Sequence, residues 1–202
     1  MCKRFPMAPD ERDLLIATIG NYAGLKPASL ALMLDHCSVR TLPKEAHLSR
    51  IGKPDSMEYF LLEGVLHRYV DNELGDPVST GFYLGKMVLT PHFARTIAGK
   101  SIFNVQALTA FVLAEMPVKV LDSLRYSYED IQGFGLKVVE QELLTSLSGD
   151  MAHRSLGAKD RLLAFRDKYP NLENLIPHSI IASYLGITPV SFSRLRKELA
   201  GK

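Results

Sequence analysis

Between Thr188 and Lys197 the sequence reads TPVSFSRLRK, with Ser191, Arg194 and Lys197 at three-residue intervals. On a helix that spacing gathers a hydroxyl and two cations on one side. An arginine can fork onto the O6 and N7 of guanine, while serine and lysine suit phosphate oxygens. Such a face can read duplex DNA. Thr188, Pro189, Val190 and Ser193 complete the candidate contact set, and Arg196 lies close by.

Two elements must hold that face outward. A first helix opens at Pro177, where a missing N–H is no loss, and runs to Leu185. Gly186 ends it, since glycine can take the left-handed turn that two crossing helices need, and Ile187 plugs the turn. Thr188 and Pro189 restart the chain as N-cap and first helical residue, and Val190 to Leu199 continue as the second helix. Ala182 keeps the crossing close, while Phe192 and Leu195 share the buried side. The other reading is an ordinary helical hairpin with a solvated charged face. Charge distribution favours the DNA reading. The chain of 202 residues carries a net +2, but from Met151 to Lys202 there are 9 Lys and Arg against 4 Asp and Glu, net +5, leaving −3 for the rest. A compact basic module gains phosphate affinity by releasing counterions.

Upstream the pattern changes. Asp10 to Leu34 reads as helix with a break around Gly24 to Pro27, and Leu14, Leu15, Ile19, Leu30 and Leu34 are its apolar contacts. Candidate strands follow at Ser38 to Leu42, Tyr59 to Val65, His67 to Asp71, Val78 to Leu84, Ser101 to Ala107 and Phe111 to Glu115, separated by glycine and proline. That rhythm indicates a small antiparallel β-barrel or jelly roll. A long helix around Tyr126 to Ser148 then carries two apolar stripes. One is Leu136, Val139, Leu143 and Leu147; the other is Ile131 and Val138 with Phe134 or Gly135. Two stripes need two partners. The best domain boundary is a hinge near Ser148–Gly149–Asp150, with another glycine at Gly157.

The run IPHSIIASYLGITPVSFSRLRKEL, preceded by AKDRLLAFRDKYPNL, closely resembles the C-terminal domain of the Crp/Fnr transcription regulators, particularly the branch common in Bacteroidetes. EYFLLEGVLHRYV and SIFNVQAL resemble strands of the cyclic-nucleotide-binding barrel that precedes that domain. The resemblance implies an α+β chain in three parts. These are a cyclic-nucleotide-binding-like jelly roll over 1–125, a dimerisation helix and hinge over 126–150, and a helical, winged-helix-like helix-turn-helix domain over 151–202. It implies homodimerisation through Leu136, Val139, Leu143 and Leu147, with two reading helices roughly 34 Å apart on near-palindromic DNA, and RNA polymerase as a further partner. A wing is expected only from YPNLENLIP, which reads as a loop.

Family members that respond to cyclic AMP use a Gly-Glu pair for the ribose and an Arg followed by a small residue for the cyclic phosphate. Here KMVLTPHFA, Lys86 to Ala94, lacks the pair; Ser101 falls near the arginine position, and Arg95 comes about six residues earlier. Binding of a cyclic nucleotide in the usual way is therefore not expected. Another small effector, if one exists, would be held by Thr90, Arg95, Lys100 and Ser101. Val190 stands where many relatives carry glutamate, which shifts base preference toward apolar contact such as a thymine methyl.

Catalysis and metal chemistry lack their motifs. The histidines form no His-x-His or His-Glu-x-x-His arrangement, although His47, His67 and His92 all fall in the barrel half. No nucleophile elbow or phosphate-binding Gly-rich loop is present. Cys2 and Cys37 are too few for a metal cluster or disulfide framework and are expected as plain thiols. No apolar run reaches membrane-spanning length, and the start MCKRFPMAPDERD has no signal-peptide core, so a cytoplasmic protein is expected. The sequence thus points to a non-enzymatic, dimeric DNA-binding regulator. An effector-binding or interaction module whose DNA domain no longer functions is the alternative.

Overall fold

The computed structural model describes residues 7 to 200; Cys2, Gly201 and Lys202 lie outside them. Two proline-opened helices come first, α1 (Pro9–Gly20) and α2 (Pro27–His36), with the break where the sequence places it. Strands β1 (Ser38–Leu42), β2 (His47–Ser49), β3 (Met57–Glu63), β4 (Val65–Asp71), β5 (Pro77–Leu84) and β6 (Met87–Val88) follow. A one-turn helix α3 (His92–Arg95), then β7 (Thr96–Ile97), β8 (Lys100–Ser101), β9 (Asn104–Ala107) and β10 (Phe111–Pro117) complete the β region. One sheet has the order β1-β10-β3-β6, a second β2-β9-β4-β5, and β7 and β8 form a small hairpin. This is the expected antiparallel jelly roll. Ser38 pairs Glu115 and Leu42 pairs Phe111, while a bulge at Val112/Leu113 bends β10 against β3.

Differences from the sequence reading have local causes. The strands β2, β6 and β7, two or three residues each, are too short to show a period. The expected strand over 101–107 divides into β8 and β9. Tyr59 to Val65 is interrupted at Gly64, whose φ of 96° links β3 directly to β4. A Cβ there would stand 2.6 Å from the Ala110 carbonyl oxygen, so only glycine fits.

The chain forms two compact units. Among the described residues, one comprises those from Met7 to His67 together with Phe82–Glu142; the other comprises Arg68–Gly81 and those from Leu143 to Ala200. In the first, β3 is buried on both faces, which is why YFLL is a continuous apolar run rather than an alternating one. Phe60 and Leu62 of β3 join Ala114 and Met116 of β10, and Leu15, Ile19 and Met33 from α1 and α2 cover them. Helix α4 (Val118–Ser127) adds Leu121 and Leu124. The single long helix expected from Tyr126 is in fact broken at Tyr128, and α5 (Glu129–Ser155) starts there. Its Asp130 carboxylate accepts hydrogen bonds from the Lys26 amide (2.8 Å) and the Ser29 hydroxyl (2.9 Å), pinning its start to the start of α2. The Lys26 bond, helped by that of Ser29, outweighs desolvation and lowers the Asp130 pKa.

Ile131, Phe134 and Val138 then bury one stripe of α5, with the Phe134 ring stacked on Phe60 (6.4 Å between centroids) and meeting Tyr22 edge-on (6.0 Å). Gly135, a weak helix residue, is buried against the Arg125 side chain, 2.8 Å from where a Cβ would lie. α5 runs unbroken through Ser148, Gly149 and Asp150, and the break comes at Leu156–Gly157, at the second glycine of the expected boundary rather than the first.

The second unit contains α6 (Ala158–Lys168), α7 (Leu172–Leu175), α8 (His178–Tyr184) and α9 (Pro189–Ala200). YPNLENLIP holds the one-turn α7 and no strand. The tip of the β4–β5 hairpin belongs to this unit. The Ser183 hydroxyl of α8 accepts from the Ser79 amide (3.1 Å) and donates to the Pro77 carbonyl (3.2 Å).

Replacing Phe134 with Ala should cost about 3–5 kcal/mol of stability, read as a lower urea midpoint, because a fully packed aromatic ring leaves a cavity. An unchanged midpoint would show that α5 is held by other contacts.

Candidate nucleic-acid interface

Two terminal motifs lock the helix pair. At the end of α8, Gly186 takes φ 65°, its amide donates to the Ser183 carbonyl (3.0 Å), and the Ile187 amide donates to that of Ala182 (3.0 Å). This Schellman pattern satisfies carbonyls that a helix end would otherwise leave open. Two residues on, the Thr188 hydroxyl accepts from the Ser191 amide (3.1 Å), capping α9. Ile181, Ala182, Leu185 and Phe192 are all within 1% of full burial, so the crossing is close-packed.

Val190, Ser193, Arg194 and Lys197 are exposed, at offsets of three and four residues on one side of α9; Val190 is 80% exposed. Thr188 and Pro189 are exposed at its start. Ser191 is half-buried, and its hydroxyl pairs with that of Thr188 (3.0 Å) as part of the cap. Leu195 is half-buried behind them.

Arg196 has a different task. The Glu173 carboxylate of α7 accepts from Arg196 and from both Nε (2.7 Å) and Nη2 (3.1 Å) of Arg166 on α6. One buried glutamate thus ties three helices. The Arg166 hydrogen bond, then that of Arg196, outweigh desolvation and lower the Glu173 pKa. No sequence signal announces this bridge, because its members lie 7 and 23 residues apart.

The barrel candidates are mostly committed inside the fold. Arg95 is 1% exposed. Its Nε and Nη2 fork onto Asp55 (3.1 and 3.2 Å), Nη1 donates to Glu58 (3.2 Å) and the Thr90 carbonyl (2.7 Å), and Nη2 also donates to the Met57 carbonyl. All five donors of the guanidinium are thereby engaged. Burial works to lower its pKa, but the Asp55 hydrogen bonds and the charges of Asp55 and Glu58 prevail and raise it. The ring of Tyr59 lies 4.7 Å below the guanidinium. Burial, followed by the Asp55 charge, raises the Tyr59 pKa.

Thr90 is buried as well. Its hydroxyl meets that of Tyr83 (2.7 Å) and donates to Glu142 on α5 (2.9 Å). Ser101 is buried with its hydroxyl on the Phe103 carbonyl (2.7 Å), and Lys100 alone of the four is exposed. Asp55, Glu58 and Glu142, missed in the sequence, therefore surround Arg95 and Thr90 with negative charge where an anionic effector would need positive charge.

His92 Nε2 lies 2.8 Å from the Asp55 carbonyl, His47 Nδ1 3.2 Å from Arg50, and buried His67 3.5 Å from Gln106. Desolvation lowers the pKa of His67. Among the described residues no three His, Cys, Asp or Glu side chains are grouped to hold a metal. Cys37 is a buried thiol. Of the expected dimerisation stripe, Leu136, Leu143 and Leu147 are 65%, 57% and 52% exposed and Val139 is half-buried.

With this geometry in hand, comparison with solved structures decides the fold. FixK2 from Bradyrhizobium japonicum superposes with a TM-score of 0.71 at 16% identity, over 82% of this chain and 85% of that one. A Crp/Fnr-family protein from Eubacterium rectale superposes at 0.67 with 14% identity, over 87% and 84%. The chain has the Crp/Fnr regulator fold. No family model matches the chain. Electron transport regulator A of Shewanella oneidensis is 22% identical over 167 residues, 77% of this chain, which spans only 66% of that protein's length. Within the Crp/Fnr fold, the barrel, the long helix and the helix-turn-helix described above follow one another in the expected order. Among the described residues no helix is long and apolar enough to cross a membrane.

Two outcomes test these clusters. Arg95→Met should cost about 3–5 kcal/mol at neutral pH by leaving two carboxylates buried without their cation, measured by chemical unfolding. Because the folded-state pKa of Glu173 is depressed, its bridge stabilises the protein above the ordinary glutamate value of 4.5 and is lost as pH falls through the lower folded value. Glu173→Gln should therefore melt below the parent protein at neutral pH and match it in acid; a constant difference across pH would refute the bridge.

Proposed function

We propose that this protein is a sequence-specific DNA-binding transcription regulator that acts as a homodimer. The observation that carries the reading is the exposed α9 side bearing Val190, Ser193, Arg194 and Lys197, held outward by a capped, close-packed helix crossing. In a major groove, Arg194 is the base reader and Lys197 a phosphate contact, with Thr188, Pro189 and Ser191 at the helix start beside the backbone. Val190 offers a thymine methyl an apolar partner.

Dimerisation is supported by the open stripe Leu136, Leu143 and Leu147 on the side of α5 away from Ile131 and Phe134. A second copy of the helix would bury that surface by knobs-into-holes packing. The barrel acts as a sensor or scaffold that does not take cyclic AMP in the usual way, because the Arg95 guanidinium is saturated by Asp55 and Glu58. Regulation by another small effector would require different affinities for two arrangements of the dimer. RNA polymerase is the partner that transcription control implies, and the cytoplasm is where it would be met.

The deciding experiment is selection from random duplex DNA with and without cyclic AMP. A two-fold-symmetric motif, unaffected by the nucleotide, is expected. Absence of any enrichment would favour an interaction module with a silent DNA domain. Arg194→Ala should then cost about 1–3 kcal/mol on the selected site and relax one base position, whereas Lys197→Ala should weaken all sequences alike and lower the salt slope. Equal losses on specific and random DNA for Arg194→Ala would remove its assigned role.

A further inference from the structure

A hollow of about 230 Å3 lies inside the second unit, between the end of α5, α6 and the end of α8. It exists because side chains are small there. Ser148, Gly149 and Ala152 share one side of α5, and Ala164 faces them from α6. A Cβ on Gly149 would meet nothing within 4 Å. The far wall is aromatic, formed by Phe165 and Tyr184 with ring centroids 5.8 Å apart.

The charged lining is of one sign. Arg161 and Lys168 border the hollow beside the His153 ring, and among the described residues no carboxylate does. Arg161 is a fixed charge, since its Nε donates to the Leu185 carbonyl (3.0 Å) and its Nη1 to that of Leu156 (2.7 Å). Lys168, exposed, has its ammonium 5.2 Å above the Tyr169 ring, and its flexible stem lets the charge reach a ligand. His153 stands edge-on to Tyr184 at 5.9 Å. An apolar floor with an aromatic wall and two cations, Arg161 and Lys168, on its border suits an apolar anion. The volume is below the usual range for ligand pockets, which restricts the guest to something on the order of ten non-hydrogen atoms.

We propose that this hollow is a binding site for a small arylalkanoic carboxylate, its ring against Phe165 and Tyr184 and its carboxylate toward Lys168 and Arg161. A nucleotide is too large and too polar for it. The site is separate from the α9 surface and from the barrel residues around Arg95, so it stands whether or not α9 reads DNA.

The full chain is titrated with phenylacetate and hydrocinnamate, and with the amide of each, by calorimetry and saturation-transfer NMR. Saturable binding of at least one acid to one site per chain is expected, with its amide roughly tenfold weaker for want of the charge-assisted contact. Lys168→Ala should weaken the acid toward the level of the amide, with Arg161 keeping the remainder of the preference, and leave the amide unchanged. Gly149→Leu fills the hollow and should abolish binding of both while the helical circular dichroism is kept; if that variant does not fold, the Lys168→Ala comparison decides alone. The site is refuted if neither acid binds, if acid and amide bind equally, or if folded Gly149→Leu binds as the parent does.

Discussion

The contact of Phe134 with Phe60 sets the register of α5 on the barrel. A helix of 27 residues cannot bury both of its apolar stripes in one small barrel sheet. Once Phe134, with Ile131 and Val138, is packed on the β3–β10 face, the other stripe has to lie open, and Leu136, Leu143 and Leu147 are exposed as a result. Close packing makes this choice discrete, because sliding the helix by one residue would turn a different set of side chains toward Phe60. Asp130, bonded to Lys26 and Ser29, fixes the same register from the helix start.

The polar interior of the barrel follows a related rule. A guanidinium taken out of water needs its charge and all its donors matched, and Asp55, Glu58 and two carbonyls meet that need for Arg95. Two carboxylates facing one cation leave the cluster negative overall, and Glu142 adds a third close to Thr90. The segment between Thr90 and Arg95 is thus a structural joint between barrel and α5. Its charges oppose the entry of a phosphate. The polar residue types that a sensor would use are present, but they are turned inward upon one another.

What the sequence disclosed was what local chemistry controls. Gly186, Thr188 and Pro189 announce a turn and a cap through backbone preferences that act within four residues, and those features stand where they were read. Strands of five or more residues showed themselves through turn residues and β-branched content, while β2, β6 and β7 offered too few residues for any pattern. Partnerships across the chain were illegible. Arg95 and Asp55 are 40 residues apart, Thr90 and Glu142 are 52, and nothing in either neighbourhood distinguishes a buried pair from solvated charges. For the same reason nothing near Arg196 in the sequence tells it from its outward neighbours Arg194 and Lys197, although Glu173 holds it. The hollow beside Gly149 was illegible too, because small residues in a helix carry no sign of what their neighbours leave vacant.

The hairpin tip tied down by Ser183 gives the C-terminal unit an unusual connectivity. Arg68–Gly81 belongs to it, so the chain passes between the two units at three points, after His67, after Gly81 and after Glu142. The unit is discontinuous in sequence. A fragment cut at any single bond in α5 would lack the strand segment on which Ser183 rests, and a graft of the helices onto another protein would lose both hydrogen bonds of that hydroxyl. Exchange of the helix-turn-helix between relatives would then demand a matching exchange of the hairpin, which makes the two segments a single heritable part despite the long stretch of chain between them.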